Sequence, residues 1–137
     1  MQVQPYLFFE GQCDEAADFY TRAVGAEVTF RMCYKDTPEP PLADQVAPDA
    51  WDKVMHMSLQ IGDTTVFASD GRAQGRPNFE GFALSLTVKD EAEAERRFAA
   101  LAEGGEVQMP MGPTFFSPRF GMLCDRFGVM WMVYVAP

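Results

Sequence analysis

Residues 14–28 read DEAADFYTRAVGAEV, and residues 90–107 read DEAEAERRFAALAEGGEV. Both open on Asp-Glu-Ala, run through an amphipathic stretch and close on Gly before Glu-Val, which is the mark of a duplicated supersecondary unit. In the first copy Ala16, Phe19, Tyr20, Ala23 and Val24 recur at helical spacing, and in the second Ala94, Phe98 and Leu101 do the same. Asp14 and Asp90 suit N-caps or first-turn acids, because unpaired amides and the positive end of the helix dipole both favour a carboxylate there. Gly25 and the pair Gly104–Gly105 stand where each helix ends and the chain turns into a strand.

The flanks repeat as well. A strand precedes each helix, VQPYLFF (3–9) and FALSLTV (82–88). Three strand-like pieces follow each helix: 27–34, 54–61 and 64–69 in the first half, 106–110, 119–124 and 129–135 in the second. Gly62-Asp63 and the run Asp125-Arg126-Phe127-Gly128 supply tight turns. Each half is therefore βαβββ, and the predicted fold is α+β: two βαβββ modules forming curved mixed sheets around a cavity. The 137 residues make a single domain, with module 1 over 1–70, a Gly/Arg-rich connector over 71–81 and module 2 over 82–137. A Pro-rich loop at 36–52 is long for a compact domain, and such loops serve as lids or partner surfaces.

A hydrophobic fraction of 47% makes this a globular chain rather than a disordered one. A net charge of −9, with no local basic cluster, opposes attraction to phosphate backbones and anionic membranes, so neither nucleic acid nor a membrane is an expected partner. No apolar run reaches membrane-spanning length and no signal peptide is recognisable, so the expected location is cytoplasmic. Cys13, Cys33 and Cys124 form neither a disulfide framework nor a metal knuckle, in keeping with a reducing compartment.

The strands are two-faced. In 54–61, Met55, Met57, Leu59 and Ile61 oppose His56, Ser58 and Gln60; in 82–88, Phe82, Leu84, Leu86 and Val88 oppose Ala83, Ser85 and Thr87. The last strand, VMWMVYV, sends Met130, Met132 and Tyr134 to one side and Trp131, Val133 and Val135 to the other. Each sheet thus offers one face to its helix and a second face of small, polar and soft groups, as a sheet wrapped around a pocket does.

The stretches PYLFFEGQCDEAADFY (5–20), HMSLQIGDTTVFASD (56–70), SLTVKD (85–90), RFAALAEGGEVQMPM (97–111) and RFGMLCDRFGVMWMV (119–133) resemble the vicinal oxygen chelate superfamily of glyoxalases, extradiol dioxygenases and bleomycin-resistance proteins. Within it they look like the PhnB-like, or 3-demethylubiquinone methyltransferase-like, branch. The resemblance implies a homodimer, and in metal-using members four strand residues hold a divalent ion. Carried over to this chain, those positions fall on Pro5, Ala68, Ala83 and Met132, with neighbours Gln4, Phe67, Phe82 and Trp131. None of these sets supplies the imidazole and carboxylate donors that such an ion needs, so no metal is expected.

His56 is the only histidine and stands either as an acid or base or as a structural group bonded to a neighbouring strand. Asp70 orients His56, binds a substrate cation or closes a turn before Gly71. Arg119 either meets an anion or is a solvated charge. Ser85 and Ser117 lack a nucleophile elbow and a second histidine, and no GxGxxG opens a helix, so no triad and no dinucleotide or S-adenosylmethionine cradle is expected; no cofactor is implied. The expected ligand-binding set is Pro5, Leu7, Ser58, Ala68, Ala83, Ser85, Phe116, Met130 and Met132, soft and adaptable side chains suited to an apolar or planar molecule. Three functions follow in order of preference. The first is metal-free small-molecule binding, ligand unknown. The second is an enzyme of unassigned reaction using His56, and the third a metal-dependent lyase or dioxygenase.

Overall fold

The computed structural model describes residues 1–38, 48–73 and 76–137. The chain divides into two units, Met1–Asn78 and Phe79–Pro137. In the first, β1 (Tyr6–Phe8), α1 (Cys13–Val24), β2 (Glu27–Cys33), β3 (Val54–Ile61) and β4 (Thr64–Ser69) follow in order. In the second come β5 (Leu84–Val88), α2 (Glu91–Ala102), β6 (Glu106–Gly112), β7 (Phe120–Cys124) and β8 (Met130–Val135). The sheets share one topology, β1-β4-β3-β2 and β5-β8-β7-β6. In each, the first strand runs parallel to the last and the remaining pairs are antiparallel. The duplicated βαβββ plan is therefore present, as two open mixed sheets. Among the described residues no helix is long and apolar enough to cross a membrane.

Each helix forms for reasons visible along it. The stripe Ala16, Phe19, Tyr20, Ala23 and Val24 of α1 is buried, and α1 packs on β3. Gly25 ends it at φ 70°, ψ 27°, its N–H donating to the Tyr20 carbonyl, in the left-handed conformation that glycine adopts without strain. In α2, Asp90 caps the N-terminus by accepting from the Glu93 amide at 2.8 Å. Asp14 does not cap α1. It lies in the first turn and takes a two-pronged ion pair from Arg31 of β2 at 2.8 and 2.7 Å, which holds its carboxyl below the usual range.

The cap of α1 comes from far along the chain. Asp70 Oδ1 accepts from the Gly11 and Cys13 amides at 2.9 and 2.8 Å, and its Oδ2 accepts from the Val54 amide at 2.7 Å. One buried carboxylate thus closes the turn after β1, the start of α1, the start of β3 and the end of β4.

The sheet cores follow the alternation. Leu7, Met57, Leu59, Val66 and Ala68 are buried in the first unit, and Leu123, Trp131, Val133 and Val135 in the second, where α2 packs on β7 and β8. A Cβ at Gly121 would stand 2.7 Å from the Phe98 ring of α2, so only glycine lets the helix settle on β7 at this point.

Three strands differ from expectation by two residues or more at an end. β1 covers 6–8 rather than 3–9, because pairing with β4 begins where the Phe67 amide donates to the Pro5 carbonyl and Val3 is left exposed. β5 starts at Leu84, leaving Phe82 exposed outside the strand and in edge contact with Phe79. β6 runs on to Gly112 past Pro110, with register shifts after Val107 and after Met109. An edge strand tolerates that proline because its amide side needs no partner.

Candidate ligand site

Directly paired residues of neighbouring strands share a face. The register Tyr6↔Phe67, Ser58↔Phe67 and Phe30↔Ser58 runs one rung across all four strands of the first sheet, and Met32↔His56 lies beside it. These side chains point away from the helix-covered face. Tyr6, Phe8 and Phe30 are 39%, 50% and 45% exposed, high values for large apolar groups on a sheet face.

At the centre of this face sits His56. Its ring centroid lies 5.5 Å from Tyr6, 5.3 Å from Phe67 and 5.9 Å from Phe30. Tyr6 also stacks on Phe8 with centroids 4.9 Å apart. The Tyr6 hydroxyl is 2.9 Å from His56 Nδ1. Burial pushes the Tyr6 phenol above its ordinary pKa, and a hydrogen bond from Ser69 works in the opposite direction. The result is an aromatic floor interrupted by the His56 imidazole and the Ser58 hydroxyl, able to stack a flat molecule and meet it with a polar group.

The open face of the second sheet has another chemistry. Ser85↔Met132, Met122↔Met132 and Met109↔Met122 form a rung of three thioethers ending in a serine, and Cys124↔Met130 forms the next. Phe116 meets Phe120 edge-on at 5.0 Å, and Phe120 lies 6.4 Å from Tyr134. Met130, Met132 and Tyr134 are partly exposed while Trp131, Val133 and Val135 are buried, as the last strand's alternation requires.

The expected site residues therefore separate. His56 and Ser58 lie on the open face of the first sheet, and Ser85, Phe116, Met130 and Met132 belong to the open side of the second. Ala83 falls one residue before β5, and Pro5 one residue before β1 with its carbonyl already bonded. Two expectations are corrected. Leu7 and Ala68 pair with each other on the helix-covered side and are 1% and 0% exposed, so they are core and touch no ligand. The register of β4 is one residue off from the expected one, and Phe67 is the residue that faces outward.

Asp70 is also corrected. It is 1% exposed and both its oxygens accept backbone amides, which makes it a structural anchor rather than a partner for His56. Arg119 is taken up by Glu91 and Glu95 of α2, and the Ser117 hydroxyl by the Arg119 and Val135 carbonyls. Tyr6, Phe8, Phe30 and Phe67 were absent from the expected set. The signal for them lay in the sequence, as aromatics at alternate positions of YLF and in the middle of β4.

A divalent ion does not fit. On their open faces the first and last strands of the two units carry Tyr6, Phe8, Phe67, Ser85, Met130 and Met132, which are aromatic, hydroxyl and thioether groups rather than imidazole or carboxylate donors. Among the described residues no three His, Cys, Asp or Glu side chains converge. A nucleotide-type methyl donor does not fit either. The amides at the start of α1, where such a group would be cradled, are already given to Asp70. Cys13 opens the same helix, but burial, Asp70 and Asp14 push its thiol well above the ordinary range, so it is no nucleophile.

Comparison with known proteins places this arrangement. Residues 1–134 match the family described as 3-demethylubiquinone-9 3-methyltransferase. The chain is 31% identical to Protein YjdN of Escherichia coli (strain K12), across 98% of this chain and 95% of that one. It is similar to the crystal structure of protein PA1353 from Pseudomonas aeruginosa, with 43% identity, a TM-score of 0.85 and coverage of 99% and 98%. A putative 3-demethylubiquinone-9 3-methyltransferase, PhnB protein, from Bacillus cereus matches with 26% identity, a TM-score of 0.80 and coverage of 99% and 100%. The fosfomycin resistance protein FosX from Listeria monocytogenes, 10% identical over 100% of this chain and 93% of that one, shares the fold at a TM-score of 0.67. By family match and identity, the chain belongs to the 3-demethylubiquinone-9 3-methyltransferase family, the PhnB-like branch of the glyoxalase and bleomycin-resistance fold.

Proposed function

We propose that this chain is a metal-free binding protein for a small, flat, largely apolar molecule, held on the aromatic face of its first sheet. The observation that carries this reading is the cluster of half-exposed Tyr6, Phe8 and Phe30 and partly buried Phe67 around His56. Keeping aromatic surface in water costs about 25 cal/mol per Å², and a soluble chain seldom bears that without a partner for the surface. The aromatic rings lose little conformational freedom on binding, and offset stacking adds about 0.5–1.5 kcal/mol per pair beyond area burial.

The protein is further proposed to work in the cytoplasm as a homodimer. The free cysteines Cys13, Cys33 and Cys124 suit a reducing compartment. Val28 on edge strand β2 and Val107 on edge strand β6 are exposed apolar groups that a second copy would cover. Of the Pro-rich loop at 36–52, residues 39–47 lie outside the described residues. Sedimentation as a single 15.3 kDa species at micromolar concentration would sink the dimer.

The binding reading is tested by a thermal-shift screen with planar aromatic compounds. At a concentration a hundredfold above Kd, a binder adds about 2.7 kcal/mol of stability, a readily visible rise in Tm. Phe67→Ala is expected to weaken the same compound about tenfold while leaving far-ultraviolet circular dichroism unchanged. A screen in which no compound raises Tm would refute the reading.

A further inference from the structure

The open face of the second sheet gathers sulfur. Met122 lies directly opposite Met132, and Cys124 lies opposite Met130 on the next rung. Met109 of β6 flanks Met122 from the other side. Opposed residues place their Cβ atoms about 4.5–5.5 Å apart, and residues two apart along a strand stand about 7 Å apart. Four sulfur-bearing side chains therefore occupy the corners of one small quadrilateral. All four are partly exposed, whereas Met57 is 1% exposed in the core of the first unit. A methionine side chain has three rotatable bonds and a polarisable thioether, so the sulfurs can turn to a common point above the sheet.

These donors are the wrong ones for a divalent ion and the right ones for a soft monovalent ion. Thiolate and thioether together select copper(I). Zinc takes thiolate, imidazole and carboxylate, and only one corner here is a thiol. From this juxtaposition we propose that Met122, Cys124, Met130 and Met132 form a site for a soft monovalent metal ion such as copper(I), with Met109 as a neighbouring donor. On binding, the Cys124 S–H bond breaks, a sulfur–metal bond forms and the proton goes to solvent. The thioethers donate lone pairs only, and the ion keeps its oxidation state, so no oxidant or reductant takes part. Burial, Asp125 and Glu106 push the Cys124 thiol above its ordinary pKa, so the thiol holds its proton until a metal displaces it. The site belongs to the second sheet and does not depend on the aromatic face of the first, whose ligand is held without metal.

The test titrates the full chain, carbon-13-labelled at the methionine methyls, with silver(I) in chloride-free buffer. Silver(I) shares the donor preference of copper(I) and does not change oxidation state on binding. The Met122, Met130 and Met132 methyl signals are expected to move together and to saturate at one ion per chain, while that of Met57 stays in place. Zinc(II) is expected to leave all of them unmoved. Replacing two corners by Met122→Leu with Met132→Leu nearly conserves volume. It is expected to weaken silver(I) about a hundredfold by calorimetry, about tenfold for each donor lost, with far-ultraviolet circular dichroism unchanged. A native chain whose methyl signals do not move overturns the proposal. So does a double variant that binds silver(I) as tightly as the native chain, since the ion then sits on thiols alone. Zinc(II) moving the same signals overturns the preference for a soft ion. Each of these results leaves the reading of the aromatic face standing.

Discussion

Asp70→Ala is expected to lower the free energy of unfolding by about 3–5 kcal/mol, the range for breaking a buried charge-assisted network. Three amides lose their acceptor at once, those of Gly11, Cys13 and Val54, at 2.9, 2.8 and 2.7 Å from the carboxylate. They lie where water does not replace it, since Asp70 is 1% exposed. Urea unfolding is the measurement, read as a lower midpoint at unchanged slope. Asp70→Asn separates charge and acceptor count from volume. Whichever way the amide is turned, its NH2 group meets at least one backbone N–H, so this near-isosteric change is expected to cost most of what alanine costs. A loss below about 1 kcal/mol, the worth of an ordinary neutral hydrogen bond, would mean that the three amides find other partners and that the anchor is dispensable. The consequence reaches the site, because the same carboxylate fixes the turn after β1, the strand that holds Tyr6 and Phe8.

The second unit has its own buried aspartate, and Asp125→Ala is expected to cost about 3–4 kcal/mol. Asp125 Oδ1 accepts from the Phe127 and Val129 amides at 2.9 and 3.0 Å, and Oδ2 accepts from the Trp131 indole at 2.9 Å. The side chain thereby shapes the turn between β7 and β8 and pins the indole beneath the sheet. The turn needs this help because Gly128 sits at φ 94° and its neighbours are buried. Trp131→Phe removes one donor and keeps the turn, so it is expected to cost about 1–2 kcal/mol. The two variants are compared by urea unfolding and by near-ultraviolet circular dichroism. A Trp131→Phe loss as large as that of Asp125→Ala would assign the energy to packing of the indole rather than to the carboxylate.

These two aspartates also mark where sequence reading succeeds and where it stops. The duplicated plan was legible because it is written in local patterns: helical spacing, alternation, and glycine at the helix ends. Asp90 was legible as a cap because its acceptor serves an amide three residues on. Asp70 was not, because the amide it serves at the start of α1 lies 57 residues away and Gln12 occupies the local cap position without capping. A turn-like Asp-Gly pair gives no hint of such a reach. The site divides in the same way. Alternation placed His56 and Ser58 on one face and Met130 and Met132 on another, as the strands have it. Absolute register was beyond it, since one residue of slip exchanges the faces of a strand. That slip replaced Phe67 by Ala68 and placed Leu7 where Tyr6 and Phe8 belong.

The rung of Met109, Met122 and Met132 gives the open face of the second sheet a chemical vulnerability. Thioethers take up oxygen from peroxide more readily than other apolar groups, and the sulfoxide formed is polar and larger. Met109 is exposed and Met122 and Met132 are partly so, whereas Met57 is buried beneath α1. Under mild peroxide, peptide mass spectrometry is expected to find Met109 oxidised before its two partners on the rung, and Met57 last. An apolar wall of this kind is therefore one that an oxidising environment turns polar, and reductases that act on methionine sulfoxide restore it.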